Sequence, residues 1–398
     1  MTREAVYQNC LNHLSSHNSI MLELPTGYGK TKLSIDLVNH LCDTVYKGKK
    51  TNMLLLVAKR VHKQTWKEEF DKWGGIKVDN IVMECYESLK KHENESFTFI
   101  MMDEVHHVKS DIRLGLLDTL SYDYMFGLSA TISRNLKSYL KSKYHSFIFS
   151  SNIKEAIDDD VLPEPEILLM PLALDNVNAT EQWEINPSKK GRTEYGEYKD
   201  KWQFKNCKVH AFVKCTQKQY LNELNSLILW EKNKYLQTRN PSMEKLWLHH
   251  CGKRLEFLSN CKVSLVKAIL RRLSHYRTIT FCKTIEQCEK LGSNCIHSQN
   301  SMSSKLYDAF NKKRINHITA VNILNENANL VDCKYAIFTN LSSSDIVMVQ
   351  RTGRAMRHKH PVIIVPYYVN TREEEIVKSM FGTYDKRYMR TINSLYEI

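Results

Sequence analysis

The sequence predicts an α/β protein of two lobes, each built on a parallel sheet, with a mainly helical insertion between them. Short apolar runs of the kind that fill buried parallel strands recur in two groups. The first group extends from Ile20-Met21-Leu22 to Tyr124-Met125-Phe126-Gly127-Leu128, the second from Thr278-Ile279-Thr280-Phe281-Cys282 to Pro361-Val362-Ile363-Ile364-Val365. Helix-period patterns alternate with these runs, as strand–helix–strand units require. Between the groups, residues 175 to about 255 turn polar and carry Trp183, Trp202, Trp230 and Trp247. A chain of 398 residues accommodates two or three domains. The expected limits are 1–170, 171–255 and 256–398.

The first predicted element is a helix over residues 2 to 16, with Ala5, Val6, Cys10, Leu11 and Leu14 at three- and four-residue spacing. Gln8 lies on it. Its amide, donor and acceptor at once, either reads an adenine edge or is an ordinary exposed helix residue. After Ile20-Met21-Leu22 comes Leu24-Pro25-Thr26-Gly27-Tyr28-Gly29-Lys30-Thr31, then a helical pattern of Leu33, Ile35, Leu37, Val38 and Leu41. Strand, glycine loop and helix in that order form the context of a phosphate-binding loop. The glycines let backbone N–H groups turn inward on an anion that also faces the helix N-terminus. Lys30 suits β- and γ-phosphates, and the Thr31 hydroxyl suits Mg²⁺.

Met53-Leu54-Leu55-Leu56-Val57 is the next strand, ending in Ala58, Lys59 and Arg60. A helix follows with Trp66, Phe70 and Trp73 on one side, stopped by Gly74-Gly75. Lys59 and Arg60 stand where ligands bind in open α/β sheets, and serve either a nucleic-acid backbone or a solvated loop. Ile81-Val82-Met83 is a third strand, leading to Tyr86 and Ser88. Phe97 to Met102 then runs into Asp103-Glu104-Val105-His106. An apolar strand ending in paired acids completes a nucleotide site: Asp103 holds Mg²⁺, and Glu104 orients and deprotonates the attacking water. The strand Tyr124 to Leu128 ends in Ser129-Ala130-Thr131, whose hydroxyls are suited to bonding the acidic motif.

Asp158-Asp159-Asp160 and Pro163-Glu164-Pro165 mark a break. Beyond it, Tyr220, Leu221, Leu224, Leu227, Ile228 and Tyr235 predict an amphipathic helix. Lys189-Lys190-Gly191-Arg192 and the tryptophans suit either a nucleic-acid clamp or a small helical core. In the second group, the strand at Phe281-Cys282 ends in Lys283 and Thr284. Ile318 to Val321 leads to Leu324–Leu330, and Gln350 to Arg357 puts Arg351, Arg354 and Arg357 on one helical face. Lys plus Arg exceeds Asp plus Glu, 57 against 44, a net charge of +13 that points to a polyanionic partner. The eleven cysteines lack a C-x-x-C pair. Cys282, Cys288 and Cys295 beside His297, and His249-His250-Cys251, are read as free thiols and structural residues. No signal core or apolar run of membrane-spanning length is present, so a cytoplasmic protein is expected.

Taken in order, these segments resemble the motifs of superfamily-two DExH helicases and translocases. Leu24–Thr31 resembles motif I, Val57–Trp66 motif Ia, Asp103–His106 motif II and Ser129–Thr131 motif III. Phe281–Thr284 resembles motif IV, Leu324–Leu330 motif V and Gln350–Arg357 motif VI. Lys59-Arg60-Val61, Thr65-Trp66 and Asn370–Glu374 are similar to Swi/Snf-type and phage DNA enzymes. The resemblance implies two RecA-like lobes with ATP and Mg²⁺ in the cleft. It places Gln8 at the adenine, Pro25, Thr26, Gly27, Tyr28, Gly29, Lys30 and Thr31 around the nucleotide, and Asn329 at the ribose. Thr31 and Asp103 hold the metal and Glu104 the water, while Gln350, Arg354 and Arg357 reach across from the second lobe. His106 couples to Ser129 and Thr131. Lys59, Arg60, Tyr86, Ser88, Lys283 and Thr284 face nucleic acid. Asn327 and Asn329 depart from the Gly and acid usual in motif V.

The implied activity is ATP-driven movement along, or unwinding of, nucleic acid, with DNA favoured over RNA. The alternatives are a nucleic-acid-stimulated ATPase that remodels protein–DNA complexes without unwinding, and a binding module with a decayed ATPase. A monomer, a protein partner at 171–255, and a host cytoplasm if the chain is phage-encoded complete the expectations.

Overall fold

A computed structural model describes residues 1–108, 110–185, 211–321, 330–341, 358–382 and 385–398. The first lobe alternates strands and helices. In chain order these are α1 (Arg3–Leu14), β1 (Ser19–Glu23), α2 (Lys30–Thr44), β2 (Asn52–Val57), α3 (Arg60–Lys72), β3 (Asn80–Cys85) and β4 (Ser96–Asp103). They continue with α4 (Asp111–Leu117), β5 (Ser121–Ser129), α5 (Arg134–Tyr144), β6 (Phe147–Ser150) and α6 (Ile153–Asp158). The six strands form one sheet in the order β3-β2-β4-β5-β1-β6, with every pairing parallel. Helices cover both faces, so the central strands are apolar along their whole length. Ile20, Leu22, Leu55 and Phe126 pack on one face, and Met21, Leu54, Ile100 and Met125 on the other.

The strand ends set the site. Glu23 pairs with Ser129 and Asp103 with Leu128, so β1, β4 and β5 finish level with one another. The Leu24 amide donates to the Ser129 carbonyl at 3.0 Å and carries the pairing one residue past β1. Gly127, in β5 between β1 and β4, leaves no room for a side chain: a Cβ there would lie 2.3 Å from Met21 Sδ and 3.3 Å from Val105 Cγ2. Gly127→Ala is therefore expected to cost about 1–3 kcal/mol, read as a lowered melting temperature.

The second lobe begins earlier than the sequence suggested. β7 (Glu166–Leu172) pairs with strands of the second sheet, so the boundary near residue 170 falls inside a strand and the crossover lies at Pro163-Glu164-Pro165. A two-stranded antiparallel ribbon follows, β8 (Glu181–Ile185) with β9 (Ala211–Cys215). After it come two long antiparallel helices, α7 (Gln217–Thr238) and α8 (Pro241–Cys261), and then α9 (Val263–Arg272). The remainder comprises β10 (Thr278–Cys282), α10 (Ile285–Leu291), β11 (Cys295–Ile296), α11 (Ser303–Asn311), β12 (His317–Val321), β13 (Tyr335–Phe338), β14 (Val362–Tyr368), α12 (Arg372–Phe381) and β15 (Met389–Thr391). The sheet order is β11-β12-β10-β13-β14-β7-β15, again parallel throughout. These are the two parallel-sheet lobes expected, but the helical hairpin is inserted within the second lobe, between β7 and β10, and not between the lobes.

Within the hairpin, Leu221, Leu224, Leu227 and Ile228 are buried along α7 as the periodicity required. Tyr220 packs between Trp183 and Phe257. The described cysteines are all free thiols, and among the described residues no His, Cys, Asp and Glu cluster is suited to a metal. His250 instead pairs with the buried Glu231 at 2.8 Å. No helix of the described residues is long and apolar enough to cross a membrane.

Candidate functional site

The loop after β1 turns at two glycines that only glycine serves well. Gly27 has φ 92° and Gly29 φ 101°, in the left-handed region. Gly29 is the N-cap of α2, and no side chain caps that helix end. The N-terminal amides of α2 thus remain directed at the loop's interior, as an anion site requires. Lys30 Nζ lies inside the turn, donating to the Leu24 carbonyl at 2.7 Å and the Pro25 carbonyl at 3.3 Å. Tyr28 contributes only backbone: its ring is buried in the lobe's core and its hydroxyl donates to the Met1 carbonyl at 3.1 Å. Arg3 staples α1 to the loop, its Nε donating to the Tyr28 carbonyl at 2.7 Å.

Asp103 and Glu104 meet this loop in a single cavity of about 1050 Å³, with Thr26, Gly27, Gly29, Lys30 and Thr31 on its wall. Both acids are almost fully buried. Asp103 Oδ2 accepts from the indole N–H of Trp66 at 2.9 Å, which fixes the carboxylate's orientation. Glu104 has φ 55°, a left-handed backbone that a side chain adopts only at a cost of about 1–3 kcal/mol. The His107 amide, donating to the Glu104 carbonyl at 2.9 Å, helps hold that turn.

His106 lies at the junction of the two strand-end motifs. Its Nδ1 is 3.0 Å from Ser129 Oγ and 3.3 Å from Glu104 Oε2. Ser129 Oγ in turn donates to the Thr131 carbonyl at 2.7 Å. One imidazole therefore touches both the acid proposed to handle water and the end of β5. The Thr131 hydroxyl oxygen is buried without a protein partner among the described residues.

Several expectations change. Tyr86 does not face nucleic acid: it is 1% exposed and its hydroxyl donates to the Asp103 carbonyl at 2.8 Å. Burial, and then the Asp103 and Glu104 carboxylates, push its phenol well above the ordinary range, so it stays a donor that braces the acidic turn from behind. Gln8 is exposed on α1, and its amide donates at 2.9 Å to Glu4, which lines the cavity together with Arg3 and Tyr7. Thr284 spends its hydroxyl as the N-cap of α10, accepting from the Gln287 amide at 3.1 Å. Trp73 is exposed beside Lys72 rather than sharing the buried side of α3 with Trp66 and Phe70.

Lys59 and Arg60 are exposed at the C-terminal edge of the first sheet, and Ser88 is half-buried on the segment after β3. Lys283 is half-buried at the end of β10. Asn327, Asn329, Gln350, Arg351, Arg354 and Arg357, with Lys189–Arg192 and Trp202, lie outside the described residues.

Sequence reading passed over Trp66 as a ligand of Asp103, and Arg3 as the loop staple. It also passed over Glu23, whose carboxylate accepts from the Ile132 amide at 2.8 Å and Ser150 Oγ at 2.6 Å. The Trp66 contact had a signal: a buried indole N–H needs an acceptor, and the neighbouring strand ends in acids.

The donor set fits a nucleoside triphosphate with a divalent metal. A lysine ammonium, an uncapped helix N-terminus and a threonine hydroxyl face a buried carboxylate pair across one cavity. Fold and site together define a two-lobed α/β protein with a nucleotide-type loop.

The family model "Type III restriction enzyme, res subunit" matches residues 2–134, and "Helicase conserved C-terminal domain" matches residues 261–359. The chain belongs to the superfamily-two helicases. "Putative ATP-dependent helicase IRC3" of Saccharomyces cerevisiae is 25% identical over 193 residues, spanning 42% of this chain and 28% of the yeast protein. In fold, the chain is similar to the "ATP-dependent Type ISP restriction-modification enzyme LlaBIII bound to DNA", with TM-score 0.58 and 14% identity over 99% of this chain and 31% of that one. The helicase domain of Pyrococcus furiosus Hef gives TM-score 0.53 and 14% identity over 94% of this chain and 96% of that one. The chain thus spans about 28–31% of the length of the yeast protein and of LlaBIII.

Proposed function

We propose that this chain is an ATP-driven motor that moves along or unwinds nucleic acid, with DNA as its track. The observation that carries the reading is the convergence of Lys30, Thr31, Asp103 and Glu104 on one cavity between level strand ends. In this reading Lys30 and the amides of the glycine loop bind the triphosphate, and Thr31 with Asp103 holds Mg²⁺. Bound Mg²⁺ neutralises charge on the phosphate oxygens. Glu104 orients the attacking water and takes its proton, while Trp66 keeps Asp103 turned toward the metal site.

His106 relays the state of Glu104 to Ser129 and Thr131. Gln350, Arg354 and Arg357 complete the cleft from the second lobe, and Asn329 supports the ribose. Lys59, Arg60, Ser88 and Lys283 contact phosphates, so binding is expected to be sequence-tolerant and salt-sensitive. The net charge of +13 supports a polyanionic track. The DNA in the LlaBIII structure favours DNA. The DExH form of the acidic motif and the Lys59–Trp66 segment favour a translocase of the Swi/Snf or phage type. Residues 171–255, with exposed Phe212, Leu229 and Leu248, are the proposed protein-partner segment.

Trp66→Phe keeps an aromatic side chain in the site but removes the N–H that holds Asp103. The Mg²⁺ concentration for half-maximal ATP hydrolysis is expected to rise about tenfold, the scale of one hydrogen bond to a charged group.

The reading is tested by ATP-dependent release of fluorescent oligonucleotides from a triplex and from a partial duplex. A motor releases the triplex strand, and a helicase also releases the duplex strand. Release of neither by folded, DNA-bound protein contradicts the proposal.

A further inference from the structure

Lys262 joins α8 to α9 and is fully buried, yet it is a lysine. Its Nζ donates to Glu373 Oε1 at 2.5 Å and to the Thr339 carbonyl at 3.0 Å. Glu373, in the first turn of α12, is also buried, and its Oε2 accepts from the Tyr368 amide at the end of β14 at 3.0 Å. Ser259 Oγ, one turn before Lys262, donates to the same Thr339 carbonyl at 3.2 Å. Gln287 closes the network. Its Nε2 donates to the Ser259 carbonyl at 2.7 Å, and its Oε1 accepts from the Lys283 amide at 2.8 Å. Thr339 Oγ1 donates to the Phe281 carbonyl at 2.7 Å, tying the end of β13 to β10.

The base of the α7–α8 hairpin is therefore bonded to the C-terminal ends of β10, β13 and β14 at once. A buried ion pair is a poor choice if stability alone is served, because apolar residues of like volume often do as well. What the charges add is direction: four elements are held in one geometry. Lys283 lies in the loop after β10, and Thr339 shortly precedes the chain segment that contains Gln350, Arg354 and Arg357. At the other end, the hairpin's outer half exposes Trp230, Lys234, Leu236, Arg239 and Lys245. Tyr235 stacks on Trp247, 5.9 Å between centroids, which ties the two helices to each other in that half.

We propose that Lys262 and Glu373, with Ser259, Gln287 and Thr339, form a positioning network through which nucleic acid bearing on the α7–α8 hairpin sets the rate of ATP hydrolysis. The proposal rests on the motor reading above. These residues touch neither nucleotide nor polymer; they act through the Lys283 loop and the chain that continues from β13.

The test is the double variant Lys262→Met with Glu373→Gln. It removes both charges together, so no buried ion is left without a partner, and it preserves an acceptor for the Tyr368 amide. Steady-state ATP hydrolysis by the full chain is measured alone and with single-stranded DNA, duplex DNA and RNA, alongside the melting temperature. Basal turnover and melting temperature are expected to match the wild type. The maximal stimulation by polymer is expected to fall about tenfold, the usual size of a coupling between sites, while the polymer concentration for half-maximal effect changes little.

If the double variant does not fold, Ser259→Ala decides the matter: it breaks one link without stranding a charge, and stimulation is expected to fall about threefold. Undiminished stimulation in the folded double variant, or in Ser259→Ala where that variant decides, overturns the proposal. Absence of turnover in the wild type overturns the motor reading and this coupling together. Wild-type turnover with equal stimulation in wild type and variant overturns the coupling alone.

Discussion

Glu104→Gln is expected to cut polymer-stimulated ATP turnover by about a thousandfold while leaving nucleotide affinity within a few-fold of wild type, the signature of a lost general base. The amide matches the carboxylate in size and still offers an oxygen to His106, which lies 3.3 Å from the acid. It cannot accept the proton of the attacking water. The left-handed turn at Glu104 is fixed by the backbone around it, including the His107 amide, so the substitution leaves the turn in place. Rapid-quench turnover with labelled ATP and equilibrium binding of a fluorescent ATP analogue separate the two effects. A variant that binds poorly and turns over normally at saturation would assign Glu104 to binding instead.

Arg354→Ala is expected to have the larger effect, about 10³–10⁵-fold on turnover, the range for an arginine that stabilises charge on a transferring phosphoryl group. Arg354 lies outside the described residues, and its role is what the resemblance of Gln350–Arg357 to motif VI implies. Arg354→Lys is the informative companion. A lysine keeps the charge but loses the planar fork, so little rescue is expected. Full rescue by lysine would mean that charge alone suffices at that position, and normal turnover in Arg354→Ala would remove it from the site.

Much of the first lobe was legible because its strands are central and parallel. Continuous apolar runs such as Met53–Val57 and Phe97–Met102 have one good explanation, and the polar residues that end them are then strand-end residues. Lys30, Thr31, Asp103 and Glu104 are thus legible as loop and strand-end residues, and the structure brings them to one cavity; the nearness of His106 to Ser129 is what the resemblance implies. What escaped depends on side-chain direction. Tyr86 stands at a strand end like its neighbours, but its ring turns inward under Asp103, and nothing in the spacing announces that. Gln8 lies one turn from the cavity-lining Glu4 on the same face of α1, and its amide is spent on that carboxylate. β7 is hard to place from sequence because Ile167-Leu168-Leu169-Met170 follows a proline break and reads as the end of the first lobe; its partners, β14 and β15, lie some 190–230 residues further on. The Lys262–Glu373 pair spans 111 residues, and neither residue is distinctive in its local sequence.

The most direct measurement is steady-state ATP hydrolysis by the purified chain, alone and with single-stranded DNA, duplex DNA, forked DNA or RNA, with Glu104→Gln alongside. The expected result is strong stimulation by at least one polymer that Glu104→Gln abolishes. Folded protein that binds DNA yet hydrolyses no ATP with any of these polymers would contradict the account.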